Sequence, residues 1–256
     1  MIESGNPGVK KTHIPAGDRY WEIDTTRGIA IVMMILFHVL FDLNFLGIAP
    51  WPGSATFWRI FAETTATLFL FIVGLSFTIS AAHASRSMDR TAFFVKYLKR
   101  GLGIFALGMA VTVVTWLYLG TGYVVFGILH LIGLSIILAP LFYRYTWINL
   151  IAGTGIILLG FMAGDISGPA YLLWLGIHPA MFYSVDYTPL LPWFGVVLIG
   201  MFAGKILYPA GKKLLFAHMK PPSAARGLML LGRHSLLIYL LHQPVIILIL
   251  TLLTMQ

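Results

Sequence analysis

The side chains best placed for chemistry are His38 and Asp42, which interrupt the apolar run EIDTTRGIAIVMMILFHVLFDL at residues 22–43. An ionisable group at the centre of a spanning helix costs roughly 2.5–3.5 kcal/mol on insertion scales, so its presence points to function. A spacing of four residues puts the imidazole and the carboxylate on one helical face. Neutral imidazole takes a proton from an attacking hydroxyl or amine near neutral pH. A carboxylate one turn away would orient the ring and stabilise the imidazolium that forms, as in catalytic triads. The pair reads as a general base and its partner in an apolar setting.

Such a pair needs spanning helices to hold it. Of the 256 residues, 59% are hydrophobic and 10% are charged, against about 25% charged in a soluble domain. Apolar runs recur near 27–47, 60–82, 101–119, 123–143, 147–164, 189–207 and 228–254. They predict an all-α, polytopic integral membrane helix bundle with about seven transmembrane helices. Lys and Arg gather at 10–27, 86–100, Arg144 and 205–226, while the loops between carry almost none. The positive-inside bias then puts the N-terminus inside and the C-terminus outside.

Residues 1–26 read as a polar cytoplasmic segment and 27–256 as a single transmembrane domain, in the cell membrane. Between Pro169 and Pro179 the apolar run is too short to span, so 169–184 is expected to be interfacial or re-entrant. Residues 85–100 read as a basic, amphipathic helix on the inner surface. Cysteine is absent, which excludes disulfides and thiolate metal sites. No metal site and no nucleic-acid partner are expected; lipids and copies of the chain are partners that such a bundle admits.

With that orientation, polar residues acquire depths at about 1.5 Å of rise per residue. His38, His130 and His242 fall on three different spans, each roughly 16–21 Å above the inner boundary. Asp42, Glu63, Asp165 and Asp186 lie at or above that layer. Buried histidines also serve as hydrogen-bonding glue between helices, at about 0.6 kcal/mol each, and that reading stands beside the functional one. Trp51, Trp58, Trp116, Trp174 and Trp193 near span ends fit an aromatic belt.

The first-span pattern Asp24, Arg27, Gly28 and His38 resembles the opening of the heparan-alpha-glucosaminide N-acetyltransferase catalytic-domain family, within the transmembrane acyltransferase superfamily. The likeness continues through LFLFIVGLSF (68–77), FGILHLIGLS (126–135), DYTPLLPWFGVVLIG (186–200) and GRHSLLIYLLHQPV (232–245). It implies transfer of an acetyl group from cytoplasmic acetyl-CoA to an acceptor across the membrane, with His38 as the catalytic residue. This chain has His130 where eukaryotic members have Gln, and His234 where Asn is common. It is shorter than the lysosomal members, so the resemblance does not extend to heparan itself.

The residue chemistry fits that implication. Asp24, Arg27, Lys99, Arg100 and Arg144 frame the inner side, and arginine can bond two phosphate oxygens of coenzyme A at once. At the outer side Glu63, Asp186 and Trp193, with Arg59 the nearby cation, make an acidic, aromatic mouth suited to an amino or hydroxyl-rich sugar. His130 and His242 are expected on the acceptor side as well. A proton-coupled carrier of small polar solutes would use similar intramembrane residues. Such a carrier should show an internal repeat or paired broken helices, and neither is visible in the sequence.

Overall fold

A computed structural model describes residues 20–50, 52–163, 166–214 and 219–254. The expected N-terminal cytoplasmic segment up to residue 19, together with Trp51 and Asp165, lies outside the described residues. The described chain is helical, with no strand: α1 Trp21–Phe45, α2 Ala55–Ser87, α3 Arg90–Leu119, α4 Ile128–Phe142, α5 Trp147–Ala163, α6 Leu190–Leu207, α7 Arg226–Arg233 and α8 Ser235–Thr254. Five of these (α1, α2, α3, α6 and α8) are long and apolar enough to cross a membrane, and α4 and α5 are shorter apolar helices. Leu117 (72% exposed) on α3 and Phe161 (73%) on α5 point outward, an apolar exterior of the kind that faces lipid.

Local chemistry sets the helix ends. Ser54 caps α2 by accepting from the Thr56 amide at 3.2 Å, and Asp89 caps α3 by accepting from the Ala92 amide at 2.7 Å. That second cap corrects the expected surface helix over 85–100. α2 runs through to Ser87 and α3 starts at Arg90, so Arg90, Lys96, Lys99 and Arg100 ride on the first turns of α3 itself. The stretch expected to span from 228 to 254 is likewise divided at His234 into α7 and α8. Over 169–184 there is one 3-10 turn, Ala170–Leu172, and no α-helix.

Successive helices reverse direction, so their ends gather in two groups. At one end the Tyr208 hydroxyl donates to Glu22 at 3.0 Å, Arg86 donates to the Ala210 carbonyl at 2.5 Å, and Lys213 pairs with Glu22 at 3.3 Å. Burial, then the Glu22 carboxylate, push the Tyr208 phenol well above its ordinary range, so it remains a donor. At the other end the Val185 amide donates to Gly122 and the Thr188 amide to Phe126, at 2.9 and 2.8 Å. There the Tyr187 phenol, raised to about 12 by burial, donates to the Leu173 carbonyl at 2.8 Å.

Between the ends, α2 is the central helix and packs on α1, α6, α4 and α3. Its crossing with α6 is tight because Gly74 meets the Val197 carbonyl and Gly200 meets the Phe71 carbonyl. The α1–α7 crossing uses the same device: a methyl built on Gly28 or Gly232 would overlap the backbone of Leu228 or Asp24. Close backbone approach at small residues is how helices gain packing energy in lipid, where apolar burial offers little. Around these crossings Leu70, Phe77, Tyr97, Leu131, Leu198 and Met201 form the core. α3 rests mainly on α4, and a cavity opens between α2, this pair, α1 and α8.

Candidate active site

The cavity has a volume of about 490 Å³ and extends from Arg27, Ser76 and Arg100 at one end to Glu63, Asp186, Tyr187 and Trp193 at the other. His38 lines it between them. The rise along α1 from Arg27 to His38 is roughly 16 Å, and that along α2 from Ser76 to Glu63 roughly 20 Å. Much of the wall between is apolar, with Phe37, Phe69, Ile104, Ile132 and Ile136. A long, mostly apolar channel with charge at both ends suits an extended two-part ligand.

At the basic end, Arg27 donates from Nη2 to Ser76 Oγ at 2.9 Å and pairs with Asp24 at 3.5 Å. The other Asp24 oxygen meets Arg233 Nε at 3.3 Å, so Asp24 is a clamp between α1 and the end of α7. It holds the guanidinium in place from outside the cavity. Arg100 reaches the same end from α3. Lys99 and Arg144 are exposed and do not line the cavity. Four cations were expected to converge here, and two do.

The His38–Asp42 pair has a different geometry from the one expected. His38 Nδ1 lies 2.8 Å from the Met34 carbonyl, and a carbonyl only accepts, so Nδ1 carries a proton and Nε2 is the nitrogen that holds the lone pair when the ring is neutral. The Asp42 carboxylate is 3% exposed and takes the Gln243 amide instead, with Nε2 at 2.8 and 2.9 Å from its two oxygens. The Met34 carbonyl, one turn back, is within reach of Nδ1, and the Gln243 amide on α8 takes the carboxylate. Asp42 therefore ties α1 to α8, and a backbone oxygen orients the ring.

His242 stands behind His38 with ring centroids 4.7 Å apart, edge to face at 80°. It does not line the cavity. His130 is 1% exposed and also lies outside it, accepting from the Gly127 amide at 3.2 Å with Nε2 3.4 Å from Thr112 Oγ1. That geometry fixes the first turn of α4. On the acidic side Asp186 faces the cavity while accepting from the Ile128 amide at 3.1 Å and the Thr188 hydroxyl at 2.8 Å. Glu63 and Arg59 stand 3.9 Å apart and are well exposed, and Trp193 lines the wall nearby.

Compared with known families, residues 19–244 match the heparan-alpha-glucosaminide N-acetyltransferase catalytic family. The chain belongs to this family. Neither the curated proteins nor the solved structures compared with it gave a match. The family is one of membrane acetyltransferases dependent on acetyl-CoA, and the outward apolar helices make this member an integral membrane protein. Within its site Ser76, Gln243, Tyr187 and Tyr239 are residues that motif reading passed over. Gln243 could have been found, since an amide in the apolar run LLHQPV needs a buried partner. Ser76 gives no such signal.

Proposed function

We propose that the chain moves an acetyl group from cytoplasmic acetyl-CoA to an amino or hydroxyl group of a sugar-like acceptor on the far side of the cell membrane, with His38 as general base. The observation that carries this reading is one cavity lined by Arg27 and Arg100 at one end, Glu63, Asp186 and Trp193 at the other, and His38 between them, nearer the acidic end. The end that gathers Arg86, Arg144, Lys213, Arg226 and Arg233 is the inner one by the positive-inside bias. On that orientation α1 to α6 and the α7–α8 unit cross seven times, and the C-terminus is outside.

The residues present suit the donor. Arg27, held by Ser76 and Asp24, and Arg100 would take the phosphates through charge-assisted bonds. The pantetheine arm would follow the apolar wall and bring the thioester to the level of His38. The acceptor enters from the acidic mouth, where an aromatic face and carboxylates suit a sugar carrying an amine. His38 Nε2 takes the acceptor's proton as its oxygen or nitrogen attacks the thioester carbonyl. Collapse of the tetrahedral intermediate breaks the carbon–sulfur bond, and the thiolate leaves with the proton returned by His38.

The test is release of free thiol from acetyl-CoA by the purified protein with a panel of amino sugars. The reading expects thiol and acetylated product to appear together and only with acceptor present. Acceptor-dependent solute uptake without thiol release would favour a proton-coupled carrier instead.

A further inference from the structure

A general base alone leaves the negative charge that develops on the thioester oxygen unmet, and in acyl transfer a positioned donor usually meets it. Six hydroxyl side chains line the cavity: Thr65, Ser76, Tyr187, Thr188, Ser235 and Tyr239. Four are engaged. Thr65 donates to the Phe61 carbonyl at 2.8 Å, Tyr187 to the Leu173 carbonyl at 2.8 Å and Thr188 to Asp186 at 2.8 Å. Ser76 is held by Arg27 at the basic end. Ser235 lies one turn from Tyr239 toward that same end, about 6 Å along α8.

Tyr239 remains. Its ring packs 5.5 Å from the His242 ring, and His242 in turn packs 4.7 Å from His38, so a single imidazole ring separates the phenol from the base, and both line the cavity. Its backbone carbonyl accepts from His242 Nδ1 at 2.6 Å, which locks this turn of α8. The Asp186 carboxylate, which also lines the cavity, accepts from the Thr188 hydroxyl and the Ile128 amide. No described residue takes the Tyr239 hydroxyl proton.

We infer that Tyr239 is a catalytic residue whose hydroxyl donates to the thioester carbonyl oxygen and holds the oxyanion of the tetrahedral intermediate. This rests on the acetyl-transfer reading and completes it. The phenol keeps its own proton throughout: it stabilises charge, while His38 carries the proton from acceptor to thiolate. Low polarity around it makes the bond count for more than it would in water.

The experiment is steady-state acetyl transfer by the full-length protein carrying Tyr239→Phe, with acetyl-CoA binding measured by calorimetry in the same detergent. Losing one oxyanion donor costs about 10²–10³-fold in kcat, and the ring contact with His242 is kept. The expected result is that loss with the KM for acetyl-CoA and its calorimetric affinity within threefold of the unmodified protein. If the Phe variant does not fold, 3-fluorotyrosine at 239 keeps the hydroxyl and strengthens it as a donor; kcat should then differ from that of the unmodified protein while affinity does not. Activity of Tyr239→Phe within threefold of normal, or unchanged kcat with 3-fluorotyrosine, overturns the inference alone. No thiol release by the unmodified protein overturns the acetyl-transfer reading, and the inference with it.

Discussion

Replacing His38 with alanine is expected to lower the acetyl-transfer rate about 10²–10⁴-fold, the usual cost of a lost general base. Acetyl-CoA affinity, measured by calorimetry in detergent, should stay within a factor of a few, because the arginines that meet the phosphates lie roughly 16 Å away along α1. The ring is held by Met34 and His242, and alanine keeps the helix intact, so the variant should fold. Asp42→Asn separates the two residues' roles. With the carboxylate bonded to Gln243, losing that charge should lower stability by about 1.5–3 kcal/mol, the range for bonds to charged groups. Its rate should change by less than tenfold. A variant at His38 that kept near-normal turnover would remove the base from this account.

The second large effect is expected at the donor end. Arg27→Gln should weaken acetyl-CoA binding about 10- to 100-fold, since a bond from a charged group is worth roughly 1.5–3 kcal/mol and 1.4 kcal/mol is tenfold. Arg100→Gln should weaken it less, as that side chain is more open to water. Arg144→Gln and Lys99→Gln are the contrast: neither lines the cavity, so each should change affinity less than twofold. The losses should be greater at low salt than at high salt, because attraction between exposed charges is screened beyond about 10 Å at 0.1 M. Equal losses at all four positions would mean that diffuse charge, and not the cavity, recruits the donor.

Apolar runs made most of the helices legible in the sequence alone. Length and hydropathy located α5 and α6 to within a residue and found α1 and α2 with ends up to six residues off, because a spanning helix must be long and apolar while its ends are set locally. The ends of α3 and α7 were not legible: a cap at Asp89 and a break at His234 depend on one or two local bonds that periodicity does not record. For the site, Arg27, His38, Glu63, Arg100, Asp186 and Trp193 could be named from type and depth, and one cavity joins them. Asp42 and His242 were misjudged in their contacts for a shared reason. Depth along a helix can be counted from sequence, but the direction a side chain faces depends on the partner helix, and the packing of α8 on α1 is not written in the apolar runs. Gln243 on α8 draws Asp42 away from the histidine, and His242 turns its ring edge toward His38 instead of lining the cavity.

The most direct test of transfer across the membrane is sidedness in sealed proteoliposomes. Acetyl-CoA with a labelled acetyl group is supplied outside, and an amino sugar is trapped within. Molecules whose basic end faces outward should build labelled, acetylated sugar in the lumen while free thiol accumulates outside, and His38→Ala vesicles should build none. Labelled sugar that forms only when donor and acceptor share one compartment would contradict the account.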